Sequence, residues 1–89
     1  MARYFFDLSN GEGLTEDDVG VELLSPESIR TEVSRILTGI AGEEMLSQES
    51  GAVSIEVRDE RGRSIFEGKL TFESRWCMPT EVKESRTRS

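Results

Sequence analysis

SPESIRTEVSRILTGIAGEEMLS, residues 25–47, is the one stretch long and periodic enough to fix an element, and the rest of the chain is arranged around it. Ser25 is the expected N-cap, because a serine hydroxyl can accept from an unpaired amide of the first turn. Pro26 suits the first helical position, where a missing N–H costs nothing, and Glu27 sets a negative charge against the positive end of the helix dipole. Ile29, Val33, Ile36, Leu37, Ile40, Ala41 and Met45 recur at intervals of three and four and make one apolar stripe. Arg30, Glu32, Arg35, Glu43 and Glu44 fall largely off that stripe. Gly39 and Gly42, inside the predicted helix, cost about 1 kcal/mol each relative to alanine. Close packing of the helix within the domain is expected to offset them.

An amphipathic helix needs an apolar surface to lie on, and the flanking segments predict a sheet. Before it, Arg3–Ser9 reads as a strand with Tyr4, Phe6 and Leu8 inward and Arg3, Phe5 and Asp7 outward, closed by an Asn10-Gly11 turn. Leu14–Leu24 returns as a short or bulged strand, interrupted at Asp17-Asp18-Val19-Gly20, with Val21 and Leu23 inward. After the helix, residues 48–51 connect to Ala52–Asp59, whose alternation turns Val53, Ile55 and Val57 inward. Asp59-Glu60-Arg61-Gly62 is a hairpin turn. Arg63–Phe72 then returns with Phe66, Leu70 and Phe72 inward and Ile65, Glu67, Lys69 and Thr71 outward, while Gly68 predicts a bulge or a close approach of the helix.

The expected fold is therefore α+β: ββαββ, one amphipathic helix packed on one face of a mostly antiparallel four-stranded sheet. Residues 1–72 form the single small domain. Residues 73–89 are a tail, disordered beyond about residue 80, with Trp76, Cys77 and Met78 as a last apolar anchor.

The 89 residues carry 18 acidic and 11 basic side chains, a net charge of −7, and no histidine. An acidic body repels phosphate backbones, so nucleic acid is an unlikely partner. The basic groups Arg58, Arg61 and Arg63, and Lys83, Arg86 and Arg88, are interleaved with Asp59, Glu60 and Glu84. Without histidine, serine–histidine and cysteine–histidine nucleophilic sites and histidine metal sites are excluded. Cys77 is the one cysteine, so no internal disulfide can form, and a reducing, cytoplasmic location is expected. Met1-Ala2-Arg3-Tyr4 does not read as a signal peptide, so none is expected, and no apolar run nears the roughly 20 residues of a membrane span.

The carboxylates Glu12, Glu16, Asp17, Asp18 and Glu22 crowd together, but their spacing fails a calcium loop: counted from Asp7, the glycine position holds Glu12. Gly11-Glu12-Gly13 leads into a strand, whereas a dinucleotide fingerprint opens a helix. No cofactor is implied.

Three ordered stretches carry a resemblance: Arg3-Tyr4-Phe5-Phe6-Asp7-Leu8, Asp18-Val19-Gly20-Val21-Glu22-Leu23, and Ile55-Glu56-Val57-Arg58-Asp59-Glu60-Arg61-Gly62. Together they resemble a family of short bacterial proteins, common in rhizobia and their relatives, known only as a domain of unknown function. The likeness spans about residues 2–72. It implies the ββαββ order and a bacterial source, and it transfers no catalytic residue. Many members carry histidine at the position of Asp7, so a histidine-dependent role would be lost here.

A sheet covered by one helix leaves a face open. The expected function is thus a non-enzymatic protein-interaction module acting through that face, with Phe5, Ile65, Arg58 and Lys69 as the candidate partner-binding residues and a protein partner or a homo-oligomer as the occupant. An antitoxin-like regulatory partner is the alternative, on the strand–strand–helix order and the acidic balance. A small enzyme relying on carboxylates and arginines, or a weak cation binder, is the second alternative.

Overall fold

In a computed structural model of the chain, residues 2–77 are described. Residues 78–89 lie outside the described part, and with them Met78 and the disorder expected beyond about residue 80.

The chain runs β1 (Ala2–Ser9), β2 (Leu14–Thr15), β3 (Val21–Leu23), α1 (Glu27–Glu44), β4 (Ser50–Arg58) and β5 (Ser64–Glu73). All strand pairs are antiparallel. β4 lies between β1 and β5, and β1 pairs on its other side with both β2 and β3. The expected four-stranded sheet is thus five-stranded, because the returning segment splits. β2 pairs with Leu8 and Ser9, β3 with Ala2 to Tyr4, and the residues between them leave the ladder. The fold is α+β, one helix on an open antiparallel sheet.

The core is the apolar face of α1 against the inner rows of the central strands. Ile29, Val33, Leu37 and Ala41 of α1 are buried with Phe6, Val53, Ile55, Val57 and Phe72. Tyr4, Leu8, Leu23, Ile36, Ile40, Phe66 and Leu70 pack around them. Val53, Ile55 and Val57 have helix or sheet on every side, which is why the cleanest alternation in the sequence lies in this strand. Gly68 needs its missing side chain: a Cβ there would stand 2.6 Å from Val33 Cγ1 and 3.3 Å from Leu37 Cδ1. The close approach of the helix is therefore real. The bulge in this hairpin lies elsewhere, between Val57 and Arg58, where the register steps past Ile65.

Four local expectations are corrected. The Ser25 hydroxyl meets the Ser28 hydroxyl at 3.3 Å, and the helix begins at Glu27 after Pro26, with no side-chain cap bond at its start. Met45 sits at the C-cap and is exposed, so the buried stripe ends at Ala41. Gly39 and Gly42 are exposed, and a Cβ at either would meet nothing within 4 Å, so no close packing compensates them. Trp76 is 87% exposed and anchors nothing, because β5 ends at Glu73 and the chain leaves the core there.

Candidate functional site

The split in the edge strand creates an accounting problem for β1. Between the partners of β2 and β3, the outer backbone edge of β1 has no strand to pair with, and a backbone amide left without a partner is costly. The loop at residues 16–20 solves it with a side chain. Asp17 Oδ2 accepts from the Phe6 amide at 3.1 Å, while its Oδ1 accepts from the amides of Val19 and Gly20, both at 3.0 Å. Gly20 completes this turn with φ +81°, and a Cβ there would lie 2.8 Å from Arg3 Cγ and 2.9 Å from Phe5 Cε2. The position therefore excludes any side chain, both for its backbone angle and for lack of room.

Asp7 points to the outer face of the sheet, as the alternation of β1 requires, yet it is only 5% exposed. Its Oδ1 accepts from the Asp17 amide at 3.0 Å. Arg58, two residues along β4 from Glu56, the direct partner of Asp7, donates Nε to Asp7 Oδ2 at 2.6 Å and Nη2 to Asp7 Oδ1 at 3.0 Å. The same Nη2 also donates to the Asp17 carbonyl at 3.0 Å. This is a bidentate, charge-assisted pair, the stronger class of side-chain hydrogen bond. Three segments far apart in sequence are held by it: β1, the 16–20 loop and β4. Arg3 adds an outer tie, donating to the Val19 carbonyl at 2.8 Å and pairing with Glu22 at 3.3 Å.

The protonation states follow from these partners. The Arg58 guanidinium bonded to Asp7 holds that carboxyl below its ordinary value, against the opposing push of burial, and the Asp17 amide adds to the lowering. At Asp17 burial pushes the carboxyl up, but the amides of Gly20, Phe6 and Val19 outweigh it and leave it lowered as well. Both groups are firmly ionised near neutral pH. A general acid or base works best with a pKa near the operating pH, so this cluster is built to hold, and is poorly placed to move protons.

The four candidate residues distribute unevenly over the outer face. Phe5 and Arg58 are direct cross-strand partners, and the guanidinium lies over the Phe5 ring, 5.2 Å from its centroid. Phe5 is half-buried as a result, its ring between Arg58 and Gly20. Arg58 spends its donors on Asp7 and Asp17. Lys69 stands opposite Ser54 on β5, away from the pair. Ile65 is the extra residue of the bulge and is 44% exposed. Beside them Leu14 is 63% exposed, and Asp7, Ser9, Leu14, Ser54, Glu56 and Lys69 line a shallow hollow of about 350 Å³. Glu56 and Glu67 face one another directly across β4 and β5, a like-charge pair that destabilises unless something cationic comes near.

Sequence reasoning placed Asp7 on the outer face of its strand and Asp17 in a crowd of carboxylates, and missed the clasp they form with Arg58. A signal was present in the aspartate followed three residues later by glycine at Asp17-Asp18-Val19-Gly20, which reads as a side-chain-capped turn. The partner across 51 residues carries none. Among the described residues no group of three or more His, Cys, Asp or Glu is gathered as a metal ion would require. Among them, too, no helix is long and apolar enough to cross a membrane.

The chain belongs to the family described as "Domain of unknown function (DUF6894)", whose model matches residues 3–71. That span contains every strand partner of the clasp and ends just before the last residues of β5. No curated protein and no solved structure shows a match to the chain.

Proposed function

We propose that this domain is a non-enzymatic, cytoplasmic protein-interaction module that takes a basic protein partner on the outer face of its sheet. The observation that carries the reading is the composition of that face. α1 covers only one side of the sheet, and the other presents Leu14 and Ile65 as exposed apolar groups around the facing carboxylates Glu56 and Glu67. A partner surface with an apolar centre and flanking lysine or arginine would bury the first and neutralise the second. The net charge of −7 favours the same sign of partner by steering the encounter. The ionised clasp of Asp7, Asp17 and Arg58 supports a binding role over catalysis, since it ties three segments of that face together and holds both carboxyls below their ordinary value. A reducing compartment suits the single, exposed Cys77.

The test is native mass spectrometry of the full-length chain, mildly purified from its own cells, beside a Leu14→Asp/Ile65→Asp variant with an unchanged circular dichroism spectrum. Wild-type chain is expected to carry a stoichiometric basic protein that the variant loses. Recovery of the wild-type chain repeatedly free of any other protein sinks the proposal.

A further inference from the structure

β5 is the outermost strand at the end of the sheet opposite β2 and β3. It runs for ten residues, contains no proline, and among the described residues pairs on one side only, with β4. A strand of that length with a free row of N–H and C=O groups is a template for a further strand. Its side chains specify which one. In the segment Phe66-Glu67-Gly68-Lys69-Leu70, the outward residues are Glu67 and Lys69, of opposite charge, placed symmetrically about Gly68. The inward residues Phe66 and Leu70 are both apolar, only partly buried, and symmetric about the same glycine.

We infer that β5 pairs antiparallel with the β5 of a second copy of this chain, with the two Gly68 residues facing each other on the two-fold axis. In that register Glu67 of each copy lies directly opposite Lys69 of the other, which gives two cross-strand ion pairs on the outer face. Phe66 lies opposite Leu70 on the inner face, again twice. Paired positions differ by an even number, so the two members of each pair turn their backbone groups the same way, and the ladder closes without a further bulge. The inner pairs fall beside a hollow of about 230 Å³ between α1 and β5, lined by Arg30, Val33, Leu37, Phe66, Gly68 and Leu70. Neighbouring strands stand about 4.8 Å apart, so the Phe66 and Leu70 of the second copy reach that hollow. An edge lysine ordinarily blunts strand addition. Here the glutamate two residues away makes the same lysine complementary to an inverted copy of its own strand, and to few other strands. This inference does not rest on the outer-face reading and shares only Glu67 with it: pairing at the edge joins the two outer faces into one and leaves Leu14 and Glu56 of each uncovered.

The experiment is light scattering coupled to gel filtration on the full-length chain at micromolar concentration, with circular dichroism to check each fold. Wild type is expected at twice the chain mass. Glu67→Lys and Lys69→Glu each create like-charge pairs at both positions and should each run at a single chain mass. Mixing the two variants restores opposite charges and should restore the double mass, as should the exchange Glu67→Lys/Lys69→Glu within one chain. Hydrogen exchange at residues 66–70 should be slower in wild type than in Lys69→Glu. A wild-type chain at single mass, a Lys69→Glu variant that remains double, or a mixture that fails to restore it would each overturn the pairing.

Discussion

Removing the Asp7 carboxylate leaves the Arg58 guanidinium against the Phe5 ring with only the Asp17 carbonyl to satisfy it, and leaves the Asp17 amide without its acceptor. Losing one partner of a buried charge-assisted contact costs more than the contact contributes, because the other partner stays desolvated. Asp7→Ala is therefore expected to lower the unfolding free energy by about 2–3 kcal/mol, read from urea denaturation. The double change Asp7→Ala/Arg58→Leu should cost clearly less than the sum of the two single changes, since no unpaired charge then remains. Additive losses in that cycle would mean the pair does not hold the three segments together. Neither partner's part could be read at the level of single residues. Asp7 obeys the alternation of its strand and looks solvated, and only the split of the returning segment, which folds a loop over the outer face, buries it. Arg58 was visible as an outward residue of its strand, but what it binds depends on which strand lies next to it.

At the scale of elements, legibility followed burial on one side. The stripe Ile29, Val33, Leu37 and Ala41 and the row Val53, Ile55 and Val57 each repeat with the period of the element that carries them, because each element buries one face and wets the other. Gly68 was legible for the same reason, as a gap in an apolar row that the helix fills with Val33. The division into β2 and β3 was legible only as an interruption, since nothing local says that an aspartate will take the place of a strand in accepting the Phe6 amide. Gly39 and Gly42 show where composition misleads. Their cost was expected to be offset by tight packing, yet both face open space. The helix therefore carries an uncompensated backbone penalty, and alanine at either position gains helix propensity without meeting any atom. Gly39→Ala and Gly42→Ala should each stabilise the protein, by about 0.5–1 kcal/mol, and together should approach the sum, with a higher thermal midpoint and no change in the number of chains associated. Destabilisation by either would show that the glycine is needed for a contact the monomer does not contain.

For the whole molecule, two effects set the pH dependence. The chain's net charge of −7 is relieved as carboxylates take up protons only down to the isoelectric point of about 4.6, below which positive charge accumulates and self-repulsion returns. Separately, Asp7 and Asp17 are held below their ordinary value of 3.8 in the folded protein, as is Asp59, to which the amides of Arg63 and Arg61 and the Arg63 side chain donate. As pH falls, the unfolded chain takes up protons at these positions first, so it binds more protons than the folded one, and stability declines. That contribution is fully present above the unfolded values and is lost as pH falls through the lowered folded ones. The urea midpoint is accordingly expected to be nearly flat from neutrality down to about pH 5 and to fall below it. Salt separates the two effects. At 1 M ionic strength the Debye length shrinks to about 3 Å, which screens the diffuse repulsion but acts weakly on a contact out of solvent. The acid fall should therefore persist in high salt, because the contacts of the lowered carboxylates are only weakly screened. In Asp7→Ala it should be shallower at every salt concentration, with Asp17 and Asp59 left to supply the rest. An acid limb that vanishes in high salt, or that is identical in Asp7→Ala, would place the pH dependence in the net charge of the molecule and remove it from the clasp.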